Sequence, residues 1–155
     1  MNKLQLSENK ALKITNVLIK ELTEDDFSSF VKVVEQMDNY IKSKGYKPMG
    51  PLIQYSMTRV SEQGEIDVVI KLMRQADNYI NHIEQPYKMV SVLSVKNCMY
   101  VRYTGPESKI KFAYDKINLT AFEEDISLIG DSYTVFVNQV DDNIIADVFM
   151  GRANE

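Results

Sequence analysis

Two runs of strand-forming residues, separated by a short polar pair, stand at the centre of the sequence. They lie within residues 90–106 (VSVLSVKNCMYVRYTGP), where Lys96 and Asn97 interrupt the apolar pattern. β-Branched and aromatic residues are enriched in strands, and two such runs joined by a short polar connection are typical of a β-hairpin. Gly105 and Pro106 follow directly and break the second run. The pattern therefore predicts a central hairpin around which the other elements are arranged.

The residues before this central segment predict one helix and three strands. Apolar residues at three- and four-residue spacing, from Phe27 to Ile41, indicate an amphipathic helix, and Gly45 is a typical residue just past a helix end. Gly64 lies in the turn of a predicted hairpin, where a positive φ is often required. In chain order, the predictions are a strand over residues 11–22, a helix over about 25–43, and strands over 52–60 and 65–73.

The residues after the central segment predict a second helix over about 106–125, followed by strands over 127–138 and 144–150. Between the two parts of the chain, residues 74–85 are polar and predict a linker with one or two helical turns. His82 lies in this linker without Cys, His or carboxylate at ligand spacing, so no metal site is predicted there.

The predicted element order occurs twice: strand, helix, strand, turn, strand. The later parts of the two halves align without gaps at an offset of 80 residues, which matches Gly50 with Gly130 and Asp67 with Asp147. We therefore predict an α+β fold of two βαββ repeats with pseudo-twofold symmetry, in which antiparallel sheets carry one long helix per repeat. Repeat one covers about residues 11–75 and repeat two about 88–151, within a single domain over residues 1–155.

Charge and composition argue against several classes of protein. The net charge is −4 and the basic residues are scattered, so nucleic acid is not expected as a partner. No apolar run approaches the about 20 residues of a membrane span, and the N-terminus lacks a secretory signal, so a cytoplasmic location is expected. The single cysteine, Cys98, has no partner for an intrachain disulfide, which fits a reducing compartment. No phosphate-binding loop or nucleophile motif is found, and we expect no cofactor.

Several short segments, in this element order, resemble the GyrI-like effector-binding family, the domain also found as the C-terminal part of many bacterial multidrug-sensing and AraC-type transcription activators. Residues 99–106 (MYVRYTGP) resemble the family strand that ends in a glycine at the start of the second helix. Residues 45–55 (GYKPMGPLIQY) resemble its Gly-Pro turn and following strand, and residues 133–138 (YTVFVN) resemble its penultimate strand. The resemblance covers about residues 11–150 and implies a divergent, stand-alone member, since no helix-turn-helix segment precedes the domain.

Two strands depart from the family pattern. Thr134 stands where family members that bind cationic drugs carry Glu. In the first repeat, Val69 stands where many members carry another Glu, and Lys71 stands where they carry Gly. A buried carboxylate stabilises a desolvated cation, so its loss argues against cation specificity. The same loss argues against the hydrolase activity of some relatives, and the resemblance thus implies a non-enzymatic domain.

The candidate pocket residues are mostly aromatic and include positions on the strands that form the pocket in the family. A tyrosine ring combines a large apolar area with a polar tip, which suits an adaptable pocket. The alternative for each residue is an ordinary core or surface position. The predicted ligand-binding residues are Tyr55, Tyr103, Tyr114, Thr134, Phe136 and Phe149, of which Tyr55 and Tyr103 rank first by the resemblance.

Asp67 and Asp147 occupy equivalent positions in the two predicted repeats. Such a pair can hold a cation or do general acid–base work. The alternative is that each carboxylate faces solvent between inward-facing valines.

The sequence leaves two main functions open. The first is non-enzymatic binding of a hydrophobic or amphipathic small-molecule effector in a cleft between the two repeats. The alternative is a protein–protein interaction module, an accessory or inhibitory partner on the same fold with a decayed pocket. An enzyme, the weakest option, would need a paired buried carboxylate with a shifted pKa.

Overall fold

The structure, a computed structural model, describes residues 4–153 of the chain. Over these residues the chain forms six strands and two helices, so the predicted α+β class is confirmed. The elements are β1 (Leu6–Glu21), α1 (Phe30–Ser43), β2 (Pro48–Val60), β3 (Ile66–Ala76), β4 (Tyr87–Pro106), α2 (Lys111–Glu123), β5 (Asp131–Val140) and β6 (Asn143–Gly151). A short 3-10 turn precedes each helix, at Asp25–Ser28 and at Glu107–Lys109.

The described chain divides into two compact units, whose boundaries fall within β1 and β4. The first unit covers residues 13–93, and the second covers residues 4–12 and 94–153. In the first unit β3 lies between β1 and β2, and both pairings are antiparallel. In the second unit β6 lies between β4 and β5, again with antiparallel pairing on both sides.

Helix α1 covers the first unit's sheet with one apolar stripe. Val33, Met37 and Ile41, four residues apart, are fully or almost fully buried. They pack in one cluster with Leu18 and Leu72 of the sheet. The helix is also tied to the sheet by the Arg74–Asp38 ion pair, in which Nε lies 2.8 Å from Oδ1.

Helix α2 covers the second unit's sheet in the same way. Ala113, Ile117 and Ala121 are buried at four-residue spacing. They join a cluster to which the sheet contributes Val101 and Val148, both fully buried. The α2 stripe matches the prediction, whereas in α1 Met37 and Ile41 are buried as predicted but Val33 is buried in place of Val31, which is 74% exposed.

The predicted central hairpin is wrong: residues 87–106 form one continuous strand of 20 residues. A tight two-residue hairpin turn of the favoured type needs a positive φ at both central residues. Here Asn97 adopts a φ of 57°, whereas Lys96 does not have a positive φ. The chain thus passes through a single left-handed residue and continues in the same strand.

Other differences concern the ends of elements. Strand β1 begins at Leu6 rather than near residue 11, and β5 begins at Asp131 rather than at 127. The helical turns predicted within residues 74–85 are not formed, since β3 extends to Ala76 and bends follow it. Strand ends are set by pairing with distant segments, which local propensity does not encode.

Candidate ligand-binding site

The second unit's sheet has two faces with different chemistry. Directly opposed residues in an antiparallel pair share a face, and successive residues alternate between faces. The Val101–Val148 pair lies on the face toward α2, because both residues belong to the cluster around that helix. The next pair along, Arg102 with Asp147, therefore lies on the opposite face.

This opposite face carries an acid, a base and three aromatic rings. Tyr100 is paired with Phe149 between β4 and β6, and Phe149 is paired in turn with Tyr133 of β5. We call this group the aromatic–carboxylate face, and its members are Tyr100, Arg102, Tyr133, Asp147 and Phe149.

Asp147 is the centre of the polar contacts on this face. The Tyr100 hydroxyl donates a hydrogen bond to Oδ1 at 2.6 Å, and Arg102 donates to both carboxylate oxygens at 2.8 and 3.0 Å. The two-pronged contact with a guanidinium is the stronger kind of ion pair. The Asp147 side chain is 14% exposed and that of Arg102 is 54% exposed, so the acid is sheltered while the base reaches solvent.

The pKa values follow from this arrangement. Burial by itself raises the pKa of Asp147, but the hydrogen bonds from Arg102 and Tyr100 outweigh burial and hold it below its usual range. Burial, together with the hydrogen bond to Asp147 and its charge, raises the pKa of Tyr100 to about 12. Near neutral pH the cluster therefore holds a carboxylate, a guanidinium and a neutral phenol, and its two charges balance.

Aromatic rings flank the charged pair. The Tyr100 and Phe149 ring centres lie 4.9 Å apart at an interplanar angle of 42°, a tilted contact in the favourable range. Tyr133 is 9% exposed, and burial with the nearby Asp131 charge raises its pKa to about 12. Phe149 is 8% and Tyr133 9% exposed, so the rings of this face are mostly covered, and the phenol groups of Tyr100 and Tyr133 stay protonated.

A cavity of about 180 Å³ lies near the turn between β5 and β6. Two of its lining residues, Thr104 of β4 and Ile145 of β6, are paired with each other. This pair is two residues along the strands from the Arg102–Asp147 pair, so it lies on the same face of the sheet. Its volume is similar to that of an enclosed apolar cavity of about 150 Å³ that holds benzene in another protein, but this depression is about half open to solvent. The cavity is lined by Thr104, Asn138, Gln139, Val140, Asn143, Ile144 and Ile145.

Most of the predicted pocket residues lie on the other side of this sheet, toward α2. Tyr103 is 5% exposed and its hydroxyl donates to the carbonyl of Pro106 at 2.5 Å. The Tyr114 hydroxyl is hydrogen-bonded to the Thr134 hydroxyl. Phe136 packs against the cluster beneath α2. Tyr103 and Thr134 are buried, Tyr114 and Phe136 are partly buried, and of the predicted set Phe149 alone, 8% exposed, belongs to the aromatic–carboxylate face.

Tyr55, the remaining predicted residue, lies in the first unit. Its hydroxyl lies 3.4 Å from the sulfur of Met57, and Lys71 Nζ lies 5.5 Å from the ring centre. Lys71 is directly opposed to Tyr55 in the β2–β3 pairing, so a cation lies against this aromatic face.

The expected equivalence of Asp67 and Asp147 is wrong. Val60 pairs with Ile66 around the β2–β3 turn, whereas Val140 pairs with Asn143 around the β5–β6 turn. The β5–β6 turn is three residues shorter than the β2–β3 turn, so the alignment at an offset of 80 residues does not hold for the strands after these turns. Asp67 is instead an exposed residue that bonds to Arg59 at 2.9 Å.

Sequence reasoning missed Tyr100, Arg102 and Tyr133. Two-residue alternation in β4 already puts Tyr100 and Arg102 on one face, as it does Asp147 and Phe149 in β6. The missing information was the β4–β6 register, because the two strands are more than 35 residues apart in sequence.

Two further findings concern the described residues, 4–153. No group of three or more His, Cys, Asp or Glu side chains in this part of the chain is arranged to hold a metal ion. No helix there is long and apolar enough to cross a membrane.

Neither a protein-family model nor a curated protein matches this sequence. Solved structures do match in fold. The C-terminal domain of EcmrR superimposes with a TM-score of 0.68 at 14% identity, covering 99% of this chain and 98% of that domain. EcmrR in its DNA complex matches with a TM-score of 0.67 at 12% identity over 99% of this chain, which spans 58% of EcmrR.

Two further structures broaden the comparison. A protein of Listeria innocua described as a hydrolase matches with a TM-score of 0.62 at 10% identity, covering 97% of this chain and 92% of that one. SAV2435, solved with bound tetraphenylphosphonium, matches with a TM-score of 0.54 at 7% identity, covering 99% of this chain and 95% of SAV2435. At these identities the matches establish a shared fold. The EcmrR complex contains DNA, so the comparison does not support the expected exclusion of nucleic acid.

Proposed function

We propose that this chain is a non-enzymatic small-molecule-binding domain of the GyrI-like effector-binding type. The observation that carries the proposal is the aromatic–carboxylate face, where a charge-balanced Asp147–Arg102 pair stands among three aromatic rings. Ligand sites are typically apolar walls with a few placed polar groups, and this face has that composition. The fold shared with SAV2435, which was solved with a hydrophobic aromatic ion, is further support.

The chemistry of the face favours a neutral or amphipathic aromatic ligand. Asp147 already balances its charge against Arg102, so no net negative charge on the pair attracts a cation. The phenols of Tyr100 and Tyr133 stay neutral, so they add no charge to the balanced pair beside them. The adjoining cavity lies near the β5–β6 turn on the same face of the sheet.

Binding rather than catalysis is favoured by the state of the carboxylate. A general acid needs a pKa near the working pH, whereas the pKa of Asp147 is held below its usual range. Its two oxygens also accept three hydrogen bonds from Tyr100 and Arg102. Because the fold is shared with a Listeria innocua protein described as a hydrolase, hydrolase activity should be assayed, and we expect no activity.

We also propose that the two units arose by duplication of a βαββ element. In each unit the last strand of the predicted repeat, β3 or β6, is the central strand of three. Gly50 and Gly130, which align in the sequence, both have a positive φ, of 73° and 102°.

A thermal-shift series with three probes of similar shape tests the binding proposal. Tetraphenylphosphonium, tetraphenylborate and triphenylphosphine oxide present phenyl rings on a cationic, an anionic and a neutral centre. At a hundred times its dissociation constant a ligand stabilises the fold by about 2.7 kcal/mol, or about 5–11 °C for a chain of this size. We expect the neutral probe to raise Tm at least as much as the cation. Stabilisation by the cation alone would contradict the charge argument, and no shift with any probe would contradict an aromatic-ligand site.

A second candidate function, protein–protein interaction on the same fold, is favoured by apolar side chains on the outer side of α2. Phe112, Leu119 and Phe122 are 51%, 59% and 82% exposed. Clustered exposed apolar residues of this kind mark interaction surfaces.

A further inference from the structure

The two helices differ on their outer sides. Helix α1 presents mainly polar residues there, with Lys32, Glu35, Gln36 and Asn39 exposed. Helix α2 presents two phenylalanines and a leucine that are each more than half exposed. Since both helices cover a sheet through one buried stripe, the apolar outer side of α2 is not required by the packing of its own unit.

The three side chains lie on one side of α2, where the exposed Asp115 stands between Phe112 and Leu119. Phe112, Leu119 and Phe122 are separated by seven and three residues, spacings that return to the same side of a helix. This outer stripe lies on the side opposite the buried Ala113–Ile117–Ala121 stripe. Because a fully buried aromatic side chain covers about 150–250 Å², the outer stripe exposes on the order of 400 Å².

Charged residues at the two ends of α2 are arranged against the helix dipole. Lys109 and Lys111 are exposed at the N-terminal end, and Glu123, Glu124 and Asp125 are exposed at the C-terminal end. The first turn of α2 itself contains no acid and its last turn no base, and the one acid in the 3-10 turn before it is Glu107. A helix dipole favours the reverse distribution, so these charges do not stabilise the isolated helix.

We propose that the outer stripe of α2 binds the same stripe of a second copy of this chain, with the two helices antiparallel. A twofold axis at the level of Ile117 puts Phe112 of each copy against Phe122 of the other, since both lie five residues from the axis. The same axis brings the basic end of each helix beside the acidic end of the other, so Lys109 lies near Glu123 of the second copy. The charges that destabilise an isolated α2 thus attract each other when two antiparallel α2 helices pack together.

The size of this contact predicts a reversible dimer. Two outer stripes together bury on the order of 800 Å², which is below the roughly 1,200–2,000 Å² of stable complexes. We therefore expect association in the micromolar range or weaker, independent of the ligand-binding function proposed above.

Sedimentation velocity over a concentration series, from low micromolar to several hundred micromolar, measures the association. The full chain is expected to shift from one copy to two as concentration rises. Phe122→Ser should weaken association at least tenfold, whereas Val31→Ser should not change it. Val31 is the matched control, because it is 74% exposed on α1. A chain that stays monomeric throughout would overturn the proposal.

Charge exchange tests the antiparallel arrangement separately from folding. Lys109→Glu alone and Glu123→Lys alone each put like charges together across the axis, so each should weaken the dimer several-fold. The double variant restores opposite charges and should recover the original affinity. Each single change also improves the fit to the helix dipole, so Tm should not fall and lost association would not reflect unfolding. Failure of the double variant to recover affinity would refute the antiparallel pairing.

Discussion

Replacing Asp147 by Asn tests the energetic role of the Asp147–Arg102 pair. The amide keeps the shape of the side chain but removes the charge, and its NH2 group is placed where Arg102 now donates to the carboxylate. Hydrogen bonds to a charged group contribute about 1.5–3 kcal/mol, and Arg102 is 54% exposed, so water replaces part of what is lost. We therefore expect a loss of about 2 kcal/mol in the free energy of unfolding. For a chain of this size that corresponds to a Tm lower by about 4–8 °C.

Asp67→Asn is the matched control, because Asp67 bonds to a single arginine with both side chains more than half exposed. An exposed ion pair of this kind contributes about 0.2–1 kcal/mol. Urea denaturation of the two variants beside the original chain gives both values. Equal losses for Asp67→Asn and Asp147→Asn would refute the claim that the sheltered, doubly bonded carboxylate is the stronger contributor.

The same pair predicts how stability depends on pH. The pKa of Asp147 is lower in the folded chain than the about 3.9 of an unfolded aspartate, so its charge stabilises the fold. That contribution is complete above about pH 4 and is lost as the pH falls through the folded-state pKa. The stability gap between the original chain and Asp147→Asn should therefore narrow in acid. A gap that is constant from neutral to acid pH would contradict the assignment.

Three further predictions concern the second unit's interior. Thr134→Val removes the hydroxyl of a buried threonine that is hydrogen-bonded to the partly buried Tyr114 hydroxyl, and should cost about 1–3 kcal/mol in urea denaturation; Tyr114→Phe in the same chain should recover part of the loss. Gly105→Ala should lower stability by more than about 1 kcal/mol, since Gly105 has a φ of 152° and an added Cβ would lie 2.9 Å from the buried Tyr103 hydroxyl; an unchanged Tm would refute this. Cys98 is fully buried, so thiol labelling should require unfolding, and rapid labelling of the native chain would contradict that burial.

The helices were predictable because their signal is local. Met37 and Ile41, like Ile117 and Ala121, are four residues apart, and this spacing is visible in the sequence without knowledge of any partner. The break at Asn97 was not interpretable in the same way. A polar pair is compatible with a turn or with one left-handed residue inside a strand, and pairing with β6 decides between them.

The site was harder to predict because it depends on the face that each strand residue occupies. Thr134 pairs with Val148 and so lies toward α2, whereas its neighbour Tyr133 pairs with Phe149 on the opposite face. A shift of one residue in register exchanges the two faces. The sequence identified the strands and their aromatic content, but the registers that bring Tyr100 and Arg102 to Asp147 come from contacts 45 or more residues apart.

Calorimetric titration of triphenylphosphine oxide into the original chain and two matched variants tests the proposed site most directly. Phe149→Leu removes a ring from the aromatic–carboxylate face, and Phe136→Leu removes one from the side toward α2. An aromatic contact contributes about 0.5–1.5 kcal/mol, so Phe149→Leu should weaken binding by roughly 2- to 12-fold while Phe136→Leu leaves it unchanged. Equal weakening by both variants, or weakening by Phe136→Leu alone, would contradict the assignment of the ligand site to this face.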